Sequence, residues 1–191
     1  MRVIAGTARS LPLKTPEGTD TRPTTDRIKE TLFNMLQTYI PDCVFVDIFS
    51  GSGGIGIEAL SRGARKAYFI ENAPKALACI EDNLAFTKMK DRAIVLKQDA
   101  CAGLTGIYEK HVDVIFMDPP REGSTPQFLD SVARMAPKRV VYVSCNPETL
   151  ARDLALLTKK GYRVESSTPV DMFPHSEHIE VVCALSRRHK A

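Results

Sequence analysis

The stretch from Val44 to Leu60, VFVDIFSGSGGIGIEAL, constrains this chain most. Val44 to Ile48 are mostly apolar and β-branched, which suits a parallel strand covered on both faces. Gly51, Gly53 and Gly56 follow at once in the spacing G-x-G-x-x-G. Such glycines let the backbone turn tightly and approach a ligand, and the helix that follows offers free N–H groups. Glu71 ends the next apolar run, and an acid about 20 residues after the turn is placed to hold ribose hydroxyls. Asp47, Ser50, Gly51, Gly53 and Glu71 are therefore candidate cofactor residues. A structural turn without a ligand is the plainer alternative.

The rest of the chain alternates in the same manner. Strands are expected at Lys66 to Glu71, Ala93 to Leu96, Val112 to Met117 and Arg139 to Val143. Helices are expected at Ile55 to Ser61, Ala73 to Phe86 with Leu77, Ile80 and Leu84 inward, Ala100 to Tyr108, a stretch ending at Ser131 to Met135, and Glu148 to Leu157. Tyr162 to Val170 and Ile179 to Leu185 would close the sheet as an antiparallel pair. Strict alternation predicts an α/β fold with a mainly parallel sheet. The 191 residues suit one domain, with residues 1–40 as a hairpin-and-helix appendage, 41–120 as a cofactor half and 121–191 as a catalytic half.

Before the glycine turn, Arg2 to Ala5 and Ser10 to Lys14 read as a small hairpin bearing Arg2, Arg9 and Lys14. It is either a surface edge or an RNA contact. Ile28, Leu32, Met35 and Leu36 share a helical face, with Thr24 or Thr25 as N-cap. Arg22, Thr24, Thr25 and Arg27 would gather at that positive helix end, suited to a phosphate or a cofactor carboxylate, or else simply solvated.

Charge and cysteine usage bound the setting. Lys and Arg number 26 against 23 Asp and Glu, for a net charge of +3. That permits a nucleic-acid partner without requiring one. No run approaches a membrane helix of about 18 apolar residues, no signal-peptide core stands at the start, and five cysteines without metal-like pairing suggest free thiols. A cytoplasmic, metal-free, monomeric protein is the expectation.

Two acids complete the candidate rim. Asp99 follows the third strand, where it can meet an adenine amino group or cap the next helix. Asp118 ends the fourth strand before Pro119 and Pro120, whose rings halt pairing and fix a rigid loop at the carboxyl edge. In open α/β sheets ligands sit along that edge. Asp47 at a strand end is placed to meet an ammonium group, which favours S-adenosylmethionine over a nicotinamide cofactor.

The pattern D-x-F-S-G-S-G-G-I-G with Asp118-Pro119-Pro120 resembles the Class I, Rossmann-like methyltransferases, and implies a seven-stranded, mainly parallel sheet with an antiparallel last strand. Residues 1 to about 120 resemble bacterial small-subunit rRNA guanine-N2 methyltransferases that modify helix 31. The match is carried by Arg2 to Gly6, Arg22 to Glu30, Phe49 to Gly53 and Glu58 to Ala64. That family follows Asp-Pro-Pro with an aromatic residue, where this chain has Arg121. Residues 118 to about 186 are similar to the RNA uridine-C5 methyltransferases, through Asp118 to Gly123, Val141 to Pro147, Thr149 to Leu154, Asp171 to Pro174 and His178 to Glu180. The chain thus reads as a join of two methyltransferases, natural or engineered.

Each resemblance implies a chemistry on RNA, most naturally rRNA or a ribosomal particle. For uridine C5, Cys145 would be the nucleophile, Glu180 the base, and Asp118 and Arg121 would orient the uracil. Cys145 stands at a strand end before a helix start, a setting expected to lower its thiol pKa. Cys43, Cys79, Cys101 and Cys183 read as core residues, and His175 and His178 as loop structure. For guanine N2 no covalent step is needed, and Asp118 with the Pro119 carbonyl would accept the amine hydrogens. A hybrid that binds cofactor without catalysis, and a nicotinamide oxidoreductase, are further alternatives.

Overall fold

The computed structural model describes residues 1–16, 25–171 and 179–188. The elements run α1 (Asp26–Leu36), β1 (Val44–Ile48), α2 (Gly54–Ser61), β2 (Lys66–Glu71), α3 (Pro74–Phe86), β3 (Ala93–Lys97), α4 (Ala100–Thr105), β4 (Val114–Met117), α5 (Pro126–Met135), β5 (Arg139–Ser144), α6 (Pro147–Lys159), β6 (Tyr162–Asp171) and β7 (Ile179–Arg187). A single 3-10 turn, Lys90–Arg92, precedes β3.

The strands form one seven-stranded sheet in the order β3-β2-β1-β4-β5-β7-β6. β1 to β5 pair in parallel, and β7 runs antiparallel to both β5 and β6. The order reverses between β1 and β4, the switch point where such sheets open a crevice. Alternate strand residues feed two apolar layers. Phe45, Phe69, Phe116 and Val141 pack beneath α1, α2 and α3. Val46, Ile70, Met117 and Tyr142 pack beneath α4, α5 and α6. Both faces are covered, so β1 is buried along its whole length. No helix among the described residues is long and apolar enough to cross a membrane.

The N-terminal segment forms the expected hairpin as a short one. Its arms meet at the antiparallel bridge between Arg2 and Pro12, and Val3 N–H bonds the Leu11 carbonyl at 3.0 Å, Ser10 N–H the Val3 carbonyl at 2.8 Å and Leu13 N–H the Met1 carbonyl at 2.9 Å. The donors between the arms go elsewhere. The N–H groups of Ile4 and Ala5 bond the Glu58 carboxylate at 2.8 and 2.9 Å, Ala8 N–H bonds Ser61 Oγ at 2.9 Å, and Thr7 N–H bonds the Ser61 carbonyl at 2.9 Å. The segment is thus stitched to α2, with Val3, Ala8 and Leu13 in the core. Lys29 reaches into the same place from α1: its Nζ lies 3.2 Å from Glu58 and donates to the Arg2 carbonyl at 2.7 Å, with both side chains fully buried.

Boundaries move at β4 and α4. β4 begins at Val114 rather than Val112, and α4 ends at Thr105 rather than Tyr108. Gly106 takes the C-cap of α4 and leaves Tyr108 exposed. Leu77 is only half-buried, beside inward Ile80 and Leu84.

Candidate functional site

The glycine turn is held from three sides. Ser50 Oγ donates to the Asp47 carbonyl at 2.7 Å and to the Ile70 carbonyl at 3.3 Å, which ties the turn to β1 and β2. Phe49 adopts φ +59, a conformation that costs a non-glycine residue about 1–3 kcal/mol. Its ring meets that of Phe128 edge-on at 5.6 Å. Gly51 (φ +54) and Gly53 (φ +79) need the freedom of glycine. A Cβ on Gly53 would crowd Phe69 and Ile80 at 3.3 Å, and one on Gly56 would strike the Phe69 ring at 2.3 Å. A Cβ on Gly51 would meet nothing within 4 Å. Gly51 is therefore the glycine that borders open space, whereas Gly53 and Gly56 permit packing.

Glu71 stands at the end of β2 beside this opening. One oxygen accepts Gly51 N–H at 2.9 Å, and the other accepts the N–H groups of Asn72 and Ala73, each at 2.9 Å. Asp47 lies beneath, 1% exposed. Its Oδ2 accepts Gly56 N–H at 2.8 Å, while Oδ1 is buried with no hydrogen-bond partner. Burial pushes its carboxyl well above the usual range, and the Glu71 and Asp118 carboxylates add to this. Asp47 thus stands beneath the turn as a buried acid with one unsatisfied oxygen. A cationic cofactor group above the turn fits that oxygen and the open space at Gly51, since a buried acceptor without a donor is costly.

The remaining cofactor candidates take mostly structural positions. Asp99 is exposed and caps α4, accepting Ala102 N–H at 3.0 Å. Thr25 holds the N-cap position of α1. Arg27 donates to the Asp171 carbonyl at 3.0 Å, which binds the start of α1 to the end of β6. Arg22 and Thr24 lie outside the described residues, as do His175 and His178.

Across the rim, Asp118, Cys145 and Glu180 converge from β4, the end of β5 and the start of β7. Pro119 is buried and Pro120 exposed. Asp118 keeps a little solvent contact, yet the protein around it, and then the Glu180 carboxylate, push its acid up to about 7. Cys145 is exposed, two residues before α6. Its thiol is pushed up, first by burial of the sulfur and then by Glu180, with Asp118 adding and Arg121 opposing. The expected lowering by the helix start is corrected here. Asn146 caps α6 by accepting Glu148 N–H, and the pairing of Ser144 with Val181 brings Glu180 beside Cys145, where its charge and that of Asp118 oppose the thiolate. Of the other cysteines, Cys43 and Cys183 are buried, but Cys79 and Cys101 are only half-buried.

One group escaped the sequence reading. Asp153, fully buried on α6, accepts Ser124 N–H and Tyr142 OH, each at 2.7 Å, and Arg152 Nε at 2.9 Å. Arg152 reaches on to the carbonyls of Glu122 and Ser124, and Asn146 and Thr149 donate to the Arg121 carbonyl at 3.3 Å. The loop after the paired prolines is therefore fixed by α6. The signal was available: Asp153 occupies an inward helical position between Leu150 and Leu157.

A doubly wound sheet with this glycine turn, an acid closing β2 and an Asp-Pro-Pro loop on the rim defines a class I methyltransferase fold. The chain belongs to the family described as Conserved hypothetical protein 95, whose model matches residues 1–169. Among solved structures it is similar to one described as "Putative methyltransferase yhhF" from Escherichia coli, with TM-score 0.75 and 25% identity over 98% of each chain. It is also similar to the Pyrococcus abyssi tRNA (uracil-54, C5)-methyltransferase in complex with S-adenosyl-L-homocysteine. There the TM-score is 0.71 and the identity 28%, over 86% of this chain and 40% of that one. A Bacillus cereus protein described as an uncharacterized RNA methyltransferase is 40% identical over 147 residues. The match covers 76% of this chain and 32% of that relative, so the chain spans about a third of the length of the curated relatives it matches.

Proposed function

We propose that this chain is an S-adenosylmethionine-dependent RNA methyltransferase, acting on rRNA, that methylates C5 of a uridine through Cys145. The observation that carries the reading is the convergence of an exposed thiol with two carboxylates, Asp118 and Glu180, on the rim beside the glycine turn. Likeness to relatives described as RNA methyltransferases supports the substrate class.

The cofactor, when bound, supplies an electrophilic methyl group. Asp47, Gly51 and Glu71 would hold it, with Asp99 and Thr25 at its borders. Uracil C5 is a poor nucleophile until another nucleophile has bonded to C6. The Cys145 thiol gives its proton to a neighbouring carboxylate, and sulfur bonds to C6. The C5=C6 π pair moves onto C5, which then takes the methyl group. Glu180 removes the C5 proton, the C5=C6 bond re-forms, and the S–C6 bond breaks to free the thiolate. Asp118, with its acid near 7, shares a proton with the uracil edge, and Arg121 and Arg27 meet the flanking RNA.

A second reading, guanine N2, is favoured by the family match across residues 1–169, which takes in the whole Asp-Pro-Pro loop. Incubation with 5-fluorouridine RNA and cofactor separates the two, because fluorine blocks the proton step and traps the Cys145 adduct. A covalent mass shift that disappears in Cys145→Ala supports uridine C5. Methylguanosine in treated RNA, with Cys145→Ala fully active, overturns it in favour of guanine N2. Absence of any methylated nucleoside supports the inactive hybrid.

A further inference from the structure

The two edges of the sheet differ in charge. The carboxyl rim bears Asp118, Glu122, Glu148, Asp171 and Glu180, with Glu71 farther along it, and Arg27, Arg121 and Arg152 stand among them. The opposite edge, where the parallel strands begin, bears Lys138, Arg139, Lys159, Arg163, Arg187 and Arg188. These cations come from three chain segments that the backbone joins side by side. Arg187 N–H bonds the Lys138 carbonyl at 3.0 Å, and Arg188 N–H bonds the Gly161 carbonyl at 2.8 Å. Arg139 and Arg163 both pair in register with Ser186 of β7.

Counter-charge on this edge is sparse. Lys138 pairs with Asp113 while its side chain stays 74% exposed, and Arg163 pairs with Glu165 at 67% exposed. Among the described residues, Arg187, Arg188 and Lys159 face no carboxylate within ion-pair distance. An aromatic ring borders the strip: Tyr39 is 41% exposed, with the Arg139 guanidinium 3.9 Å from its ring centroid. Cations beside an exposed ring suit a phosphodiester chain and a stacked base.

Physics separates the two tasks. The acidic rim suits a cationic cofactor and proton removal, but it repels phosphate. RNA held only at the rim would have Arg27 and Arg121 as phosphate partners, set among these carboxylates. We infer that the basic edge at the strand starts docks the phosphate backbone of RNA flanking the target nucleotide. The inference rests on the reading of RNA as substrate. The six residues of β5 separate the two edges by about 20 Å, at roughly 3.3 Å per residue. Only RNA long enough to pass around the molecule reaches both.

The test compares the full chain with the combined variant Arg163→Gln, Arg187→Gln, Arg188→Gln. Binding is followed by fluorescence anisotropy across a KCl series, with a labelled stem-loop long enough to reach both edges and with a short oligonucleotide. Losing three phosphate contacts makes the slope of log K against log salt shallower by about 2–3 for the stem-loop. The short oligonucleotide and cofactor binding by calorimetry stay as in the parent. An unchanged stem-loop slope, with the parent binding RNA normally, overturns the docking surface alone. A parent that binds neither RNA at any salt removes the RNA reading itself. Preference of the edge for polyglutamate over RNA overturns the inference in favour of an acidic protein partner.

Discussion

Asp153 accepts the backbone N–H of Ser124 at 2.7 Å from a position with no solvent exposure, so a helix on one side of the rim dictates the path of the loop on the other. Replacing Asp153 with Ala leaves that N–H and the Tyr142 hydroxyl without an acceptor. The expected loss is about 2–5 kcal/mol, the cost of two buried donors left unsatisfied. Asp153→Asn retains an acceptor and loses less. Urea unfolding of both variants measures the difference, and Ser124 amide exchange should quicken in each.

Cys145 is expected to ionise late. With burial, Glu180 and Asp118 all opposing the thiolate, its alkylation rate should rise with an inflection above the ordinary thiol value of 9.0. Glu180→Gln removes a negative neighbour, so the inflection moves down. Iodoacetamide kinetics across pH check both statements. A parent inflection below the ordinary value would mean that the helix start outweighs the carboxylates.

Glu71→Ala should weaken S-adenosylmethionine binding by about 1.5–3 kcal/mol, the cost of losing charged hydrogen bonds that also position Gly51. Asp99→Ala should instead lower fold stability by about 1 kcal/mol through the lost helix cap. Calorimetry with the cofactor and thermal melts, run on both variants, separate the roles.

Gly51→Ala and Gly56→Ala should fail differently. The first meets only backbone strain at φ +54, about 1–2 kcal/mol, yet it places a methyl group in the open space above the turn. Its stability should fall slightly and its cofactor affinity sharply. The second drives a methyl group into the buried Phe69 ring and should cost about 1–3 kcal/mol of stability.

Burial lowers the pKa of Lys29 below the usual 10.5, against the pull of Glu58. The folded chain therefore releases that proton at lower pH than the unfolded chain. In the window between the lowered value and 10.5, the unfolded state binds more protons, so this group's contribution to stability rises with pH. Lys29→Met abolishes that rise. Denaturant midpoints at several alkaline pH values give the slope.

The sequence disclosed what periodicity and punctuation encode. The buried strand at Val44, the glycine turn and the Asp-Pro-Pro stop are local signals, and the sheet follows from their alternation. Contacts set by distant segments were hidden. Ile4 and Ala5 looked like strand residues because nothing in the sequence says that their N–H groups will find Glu58, more than fifty positions away. Cys145 was judged by the helix behind it, whereas Glu180, brought alongside by an antiparallel strand, shifts the balance of charge. Asp47 sits where the pattern put it, but its depth beneath Gly56 emerges only once α2 folds over β1.

The strand order has a consequence for biosynthesis. β7 is made after β6, yet it lies inside the sheet, between β5 and β6. Until it emerges from the ribosome, β6 has no neighbour and β5 carries an open flank. Glu180 arrives with that same strand, so Asp118 and Cys145 lack this neighbour on a nascent chain that stops short of it. Translation must pass β7 before the sheet closes, and the slow non-local step of its folding waits for that strand.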